Sequence, residues 1–123
     1  MCKRYEIEAS EITQMVYDLS LKANRILPEG VKKIISTASD REKMPLAKQA
    51  FSDILENAKL AEEKSLPICQ DCGLAVVFVE IGQDLCVKGG SIEDAINEGV
   101  RRAYIDGCLR KSVVKDPSDI RYS

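Results

Sequence analysis

Apolar positions recur at spacings of three and four through the first half of the chain, then give way to an unbroken apolar run near its middle. From Ser10 to about Ile26, the residues Ile12, Met15, Val16, Leu19, Ala23 and Ile26 form one stripe on a helix. Ser10 suits the N-cap and Glu11 the first turn. Leu27-Pro28-Glu29-Gly30 breaks the pattern, and a shorter helix follows with Val31, Ile34, Ile35 and Ala38 inward. Ser39-Asp40-Arg41-Glu42 has the form of a capping box, but Pro45 close behind it argues for a turn first. From Pro45 to about Lys64, the residues Ala47, Ala50, Phe51, Ile54, Leu55, Ala58 and Ala61 repeat at helical spacing. Glu56, Lys59, Glu62 and Glu63 line the other face. Ser65-Leu66-Pro67 ends this helix, because a residue before proline is pushed out of the α region.

The periodicity then changes. Leu74-Ala75-Val76-Val77-Phe78-Val79-Glu80-Ile81 is apolar on both faces and rich in β-branched residues, which predicts a strand covered on both sides. Gly82 to Asp84 turn the chain, and Leu85-Cys86-Val87-Lys88 is expected as a short partner strand. Gly89-Gly90 ends it. That pair lacks the further glycines and the lysine–hydroxyl pair of a phosphate loop, so it reads as a turn. Ser91-Ile92-Glu93-Asp94 is a capping box opening a helix with Ile92, Ala95, Ile96, Val100 and Ala103 inward, and Gly107 is its expected stop. Leu109 to Val114 reads as a last extended piece, and Asp116-Pro117-Ser118-Asp119 as a turn. The expected fold is α+β in a single domain over residues 1–123: N-terminal helices, then a small sheet with a further packed helix.

Composition narrows the function. At 123 residues the chain is long enough to bury a core without staples. A formal charge of −2 gives no basic face for nucleic acid. The longest apolar run, Leu74 to Val79, is far short of a membrane span, and the N-terminus has no apolar signal region. A cytoplasmic protein is expected. The chain has five cysteines (Cys2, Cys69, Cys72, Cys86 and Cys108) and no histidine. An odd count without an export signal favours metal or redox chemistry over a disulfide framework. Any chemistry must run on thiolates, carboxylates, hydroxyls, lysine or arginine.

The candidate chemistry gathers where the two patterns meet, at Pro67-Ile68-Cys69-Gln70-Asp71-Cys72-Gly73. As a thiol–disulfide motif, Cys69 and Cys72 should follow a strand and open a helix, and the order here is the reverse. As a zinc- or partner-binding module, they need further ligands, and Cys2, Cys86 and Cys108 lie singly. As small buried hydrophobes in a turn, they leave Gln70 and Asp71 unexplained, since burying an idle carboxylate is costly. A thiolate also suits an iron–sulfur cluster, whose open iron polarises a substrate oxygen while a nearby carboxylate moves a proton.

Pro67-Ile68-Cys69-Gln70-Asp71 followed by Gly73 resembles the first cluster-ligand motif of the class I, iron–sulfur fumarases and of the related L(+)-tartrate dehydratase alpha subunits. A second match follows. Glu98-Gly99-Val100-Arg101-Arg102-Ala103-Tyr104, then Gly107-Cys108-Leu109-Arg110-Lys111-Ser112-Val113-Val114-Lys115-Asp116-Pro117, is similar to that family's next helix and its Leu-Arg-x-Ser-Val-Val segment. The resemblance runs from roughly Leu46 to Pro117. It implies a hydro-lyase acting on a small dicarboxylate, fumarate/malate or alternatively L(+)-tartrate, with Cys69 on one iron of a [4Fe-4S] cluster. Gln70 and Asp71 would contact the substrate, Asp71 being tied to proton transfer, and Arg110 would hold a substrate carboxylate. Two departures stand out. The family usually has threonine where this chain has Cys72, which makes Cys72 a neighbour of the site rather than a ligand. Two further cluster cysteines lie well beyond the end of this sequence, so the chain is expected to be an N-terminal fragment, inactive alone. It would work with a missing C-terminal part or a beta subunit, as a homo- or hetero-oligomer. Cys86 and Cys108 read as buried thiols, and Arg101 and Arg102 as a solvated helix face.

Overall fold

The computed structural model describes residues 5–113. The turn expected at Asp116 to Asp119 lies outside the described residues, as does Cys2. Six elements follow in order: β1 (Tyr5–Glu8), α1 (Ala9–Arg25), α2 (Glu29–Arg41), α3 (Pro45–Lys64), β2 (Leu85–Lys88) and α4 (Ile92–Asp106). The α+β expectation holds, with a helix-rich chain, a small sheet and a further helix. The chain divides into two compact units, residues 1–21 with 70–123 and residues 22–69.

In the first unit, β1 and β2 pair in parallel, Tyr5 opposite Leu85 through Glu8 opposite Lys88. Lys88 reaches across to Glu6 at 2.6 Å. This corrects the expected pairing, since β2 joins the N-terminal strand rather than the run just before it. Parallel pairing needs a long crossover, which α1 begins; a local hairpin between residues 74–81 and 85–88 would have been antiparallel. The run itself, Leu74 to Ile81, is the larger correction. It has no strand pairing among the described residues and its side chains are exposed instead of covered. Apolar, β-branched composition specifies an extended backbone, but a strand also needs a partner to bond to, and the described residues offer none.

The core of this unit is a close crossing of α1 and α4. Thr13 is buried on α1, and its hydroxyl lies 3.1 Å from Ala9 O and 3.0 Å from Ala95 O, so its one proton is shared between α1 and α4. Val16 is buried beside it, with Ala95, Gly99 and Ala103 from α4. Met15 and Leu19, assigned to the inward stripe, are exposed; the buried face is set by Ala9, Thr13 and Val16, shifted because small residues allow a closer approach than Met or Leu. α4 opens as expected, with Ser91 Oγ accepting from Asp94 N–H at 3.0 Å.

In the second unit, α2 lies along α3 and Lys32 bridges Glu29 at 2.9 Å and Glu62 at 3.0 Å. These two hydrogen bonds hold the Lys32 ammonium above its ordinary pKa. α2 buries no residue, and Val31 and Ile34, expected inward, are exposed because a single neighbour covers only one side of it. Glu42 follows α2, and its carboxylate accepts from the N–H groups of Lys43 and Met44, so the capping-box pattern resolves into a turn before Pro45 starts α3.

A Cβ added at Gly99 would sit 2.6 Å from Thr13 O and 2.8 Å from Val16 Cβ, so the α1–α4 crossing depends on glycine there. Gly99→Ala is expected to destabilise the protein by about 1–3 kcal/mol, read as a lower denaturant midpoint at unchanged m-value.

Candidate functional site

Two helix ends deliver the candidate chemistry, and they are built alike. α3 ends at Ser65 in the left-handed region (φ 54°), with Leu66 N–H donating to Ala61 O at 2.9 Å and Ser65 N–H to Glu62 O at 3.4 Å. After α4 the left-handed residue is Cys108 (φ 53°), with Leu109 N–H donating to Tyr104 O at 3.0 Å and Cys108 N–H to Ile105 O at 3.3 Å. Both are Schellman caps, in which a left-handed residue turns the chain off the axis, and after α4 the following Leu109 is buried. The expected stop at Gly107 is thereby sharpened. Gly107 is right-handed (φ −80°) and is small because an added Cβ would fall 2.5 Å from Leu21 Cδ2. Cys108 is exposed at this cap, which corrects its reading as a buried thiol, while Cys86 is half-buried in β2.

The segment leaving α3 is fixed within the second unit. Ile68 N–H donates to Asn24 O at 2.9 Å, and Ile68 O accepts from the Asn57 side-chain amide at 2.7 Å. Cys69 follows as an exposed residue at the end of that unit. Gln70, also exposed, begins the return to the first unit.

In the first unit, residues 71–73 and the segment leaving α4 are tied together. Asp71 Oδ1 accepts from Gly73 N–H at 3.1 Å, an Asx-turn that places Gly73 at φ 58° with open space around it. The same oxygen accepts from Ser112 Oγ–H at 2.9 Å. Cys72 receives two bonds. Its carbonyl accepts from the Tyr104 hydroxyl at 2.9 Å, and its sulfur accepts from the Arg110 backbone N–H at 3.2 Å. Burial pushes the half-buried Tyr104 hydroxyl above its usual range, so it remains a donor. The Ser112 hydrogen bond, then the Gly73 N–H and the charge of Arg110, hold the Asp71 carboxyl below the usual carboxylate range. Asp71 is therefore ionised well below neutral pH, a weak base that repels an anion unless a cation accompanies it.

Arg101 and Arg102 are the solvated face expected of them. Both hold Glu98, at 2.6 Å each, and pull its carboxyl down to about 2. Arg110 lies exposed, with its backbone tied to Cys72. Cys72, expected as a neighbour of the site, carries two of the three bonds that hold residues 71–73 against α4 and the segment after it. Tyr104 and Ser112 were missed as site residues. Their only signal in the sequence was a place inside the second motif.

The family model described as fumarate hydratase (Fumerase) matches residues 13–122. The chain belongs to that family. It is 36% identical over 105 residues to a protein of Methanocaldococcus jannaschii provisionally named as an L(+)-tartrate dehydratase subunit alpha, covering 85% of this chain and 37% of the relative. It is 29% identical over 108 residues to the anaerobic class I fumarate hydratase of Escherichia coli, covering 87% of this chain and 20% of that enzyme. An L(+)-tartrate dehydratase subunit alpha of Escherichia coli matches at 22% identity over 106 residues, 86% of this chain and 35% of the relative. The chain therefore spans well under half the length of these curated relatives. Within the matched region lie both segments of the fumarate hydratase resemblance, joined through Cys72.

Replacing Ser112 by alanine removes the largest cause of the depressed Asp71 pKa. A depressed carboxylate stabilises the fold above its unfolded pKa, and that contribution is lost as pH falls through the folded value. Ser112→Ala is expected to move the Asp71 titration upward toward 3.8 and so to shrink the stability that is lost on acidification. Carbon-detected NMR of the Asp71 carboxyl would record the shift.

Proposed function

We propose that this chain carries the substrate-binding corner of a hydro-lyase that adds or removes water across a carbon–carbon bond flanked by carboxylates, with fumarate/malate as substrate pair. L(+)-tartrate is the alternative. The observation that carries this reading is the joining of Asp71 and the Arg110–Ser112 segment in one unit of a chain of the fumarate hydratase family.

The chemistry sets three demands on such a site: hold the substrate carboxylates, move a proton at carbon, and assist departure of the hydroxyl. Arg110 meets the first. Its guanidinium is a planar fork suited to a bidentate bond with a carboxylate, and its backbone is held by Cys72. Gln70 supplies an amide that donates to the same dianion. Asp71, ionised and fixed by Ser112 and Gly73, is the proton acceptor. Its lowered pKa makes it a weak base as it stands. Movement of the Ser112 hydroxyl from Asp71 to a bound substrate would strengthen it.

The family implies a [4Fe-4S] cluster, which when bound supplies the Lewis acid that assists the leaving hydroxyl. The donors of this chain fit one corner of such a group. Cys69 is an exposed thiol at the end of a fixed loop, whereas the Cys72 sulfur accepts from Arg110, and no three candidate ligands cluster among the described residues. The remaining ligands would come from the rest of a larger hydro-lyase, as a further part or a partner subunit.

Titration of the chain with malate, fumarate and L(+)-tartrate, followed by amide chemical shifts, tests this. Shifts centred on Gln70, Asp71 and Arg110, with affinity falling about tenfold or more in Arg110→Ala, are expected. Shifts elsewhere, or one tightly held zinc per chain that is lost in Cys72→Ser, would replace the hydro-lyase with a metal-binding module.

A further inference from the structure

The partners of Ser112 fix which way its hydroxyl works. A carboxylate offers only acceptors, so at 2.9 Å the Ser112 hydroxyl must donate its one proton to Asp71 Oδ1. That oxygen also accepts from Gly73 N–H at 3.1 Å, so it is held from two sides. The Ser112 oxygen keeps two lone pairs, and its side chain makes no other hydrogen bond among the described residues. Ser112 is exposed, as are Asp71 and Arg110, and all three belong to the first unit. An exposed oxygen whose proton is already committed attracts a hydrogen-bond donor and turns away a carboxylate.

Arg110 and Ser112 are two residues apart, a span of at most about 7 Å along the backbone. Both are held by the same loop. Arg110 N–H donates to Cys72 Sγ at 3.2 Å, and Ser112 donates to Asp71. The guanidinium suits a carboxylate, and the lone pairs of Ser112 suit a hydroxyl. A small molecule that carries both groups on neighbouring carbons can therefore meet both side chains.

We propose that Ser112 is a specificity-determining residue: its oxygen accepts from a substrate hydroxyl while Arg110 holds the adjoining carboxylate. The site then selects hydroxylated dicarboxylates over those that lack a hydroxyl. This assignment rests on the hydro-lyase reading and adds to it the group by which the substrate is told from its analogues. L-malate, with one hydroxyl, fills the acceptor. L(+)-tartrate has a hydroxyl on each central carbon and presents one whichever carboxylate Arg110 takes. Fumarate and succinate have none to donate, so binding either displaces water from Ser112 and leaves the oxygen unpaired. Ser112 stays the donor to Asp71 in this bound state; its swing to the substrate belongs to the later proton transfer.

The test compares L-malate with succinate, which carries the same two carboxylates and lacks only the hydroxyl. Dissociation constants are read from amide shifts of the 123-residue chain, of Ser112→Ala and of Ser112→Thr. The chain is expected to bind L-malate about threefold to tenfold tighter than succinate, as one hydrogen bond contributes. Ser112→Ala should bring that ratio to about one, and Ser112→Thr, which keeps the hydroxyl, should restore it. A serine that only steadies Asp71 would, when replaced, weaken both ligands alike and leave the ratio unchanged. A ratio that survives Ser112→Ala, or equal binding of both ligands by the parent chain, would overturn the assignment and leave the hydro-lyase reading standing. Binding of neither ligand would overturn both.

Discussion

The bonds received by Asp71 and Cys72 are what make a site out of two separate motifs. Tyr104, Arg110 and Ser112 each donate to that short loop, closing a gap of 38 residues between Cys72 and Arg110. None of these bonds is strong by itself, because all lie near the surface, where water competes for each partner. Their effect comes from acting together on a segment already turned by the Asx bond at Gly73 and on another already turned by the cap at Cys108. The α1–α4 crossing lies behind them. It fixes the helix from whose end Leu109 and Arg110 emerge, and it does so with Gly99, Ala95 and Ala103 because larger residues would separate the backbones.

The helices were legible because their causes are local. Pro45 and the pre-proline stop bracket α3, and the Ser91–Asp94 box opens α4, so periodicity and capping sufficed. What escaped was decided at a distance. β1 is four residues long with charged Glu6 and Glu8, and nothing local marks it as the partner of Leu85–Lys88. Thr13 is polar by composition yet buried, because an Ala95 carbonyl meets its hydroxyl. The inward faces assigned to Met15, Leu19, Val31 and Ile34 assumed neighbours that the described residues do not provide. The candidate site at Cys69, Gln70, Asp71 and Arg110 was named through the resemblance alone, since no spacing rule would have assembled it. Ser112 and Tyr104 carried no separate signal, since a serine and a tyrosine beside a helix end are ordinary until their acceptors are known.

The apolar run from Leu74 to Ile81 and the exposed Cys69 thiol describe one situation from two sides. The run has more apolar surface than the described residues cover, and Cys69 is a candidate ligand with no group of three such residues around it among the described residues. Asp71 and Arg110, by contrast, are held by groups within the chain itself. The proposed substrate-facing corner is thus organised by bonds within this chain.

The most direct test of that organisation is the Arg110 amide, whose hydrogen bond to the Cys72 sulfur joins the two motifs. Its hydrogen exchange in the native protein should accelerate in Cys72→Ala, which has no acceptor. In Cys72→Thr, the residue usual in the resembling family, the hydroxyl replaces the sulfur and protection should return. An Arg110 amide that exchanges equally fast in the parent chain and in Cys72→Ala would contradict a site assembled through Cys72.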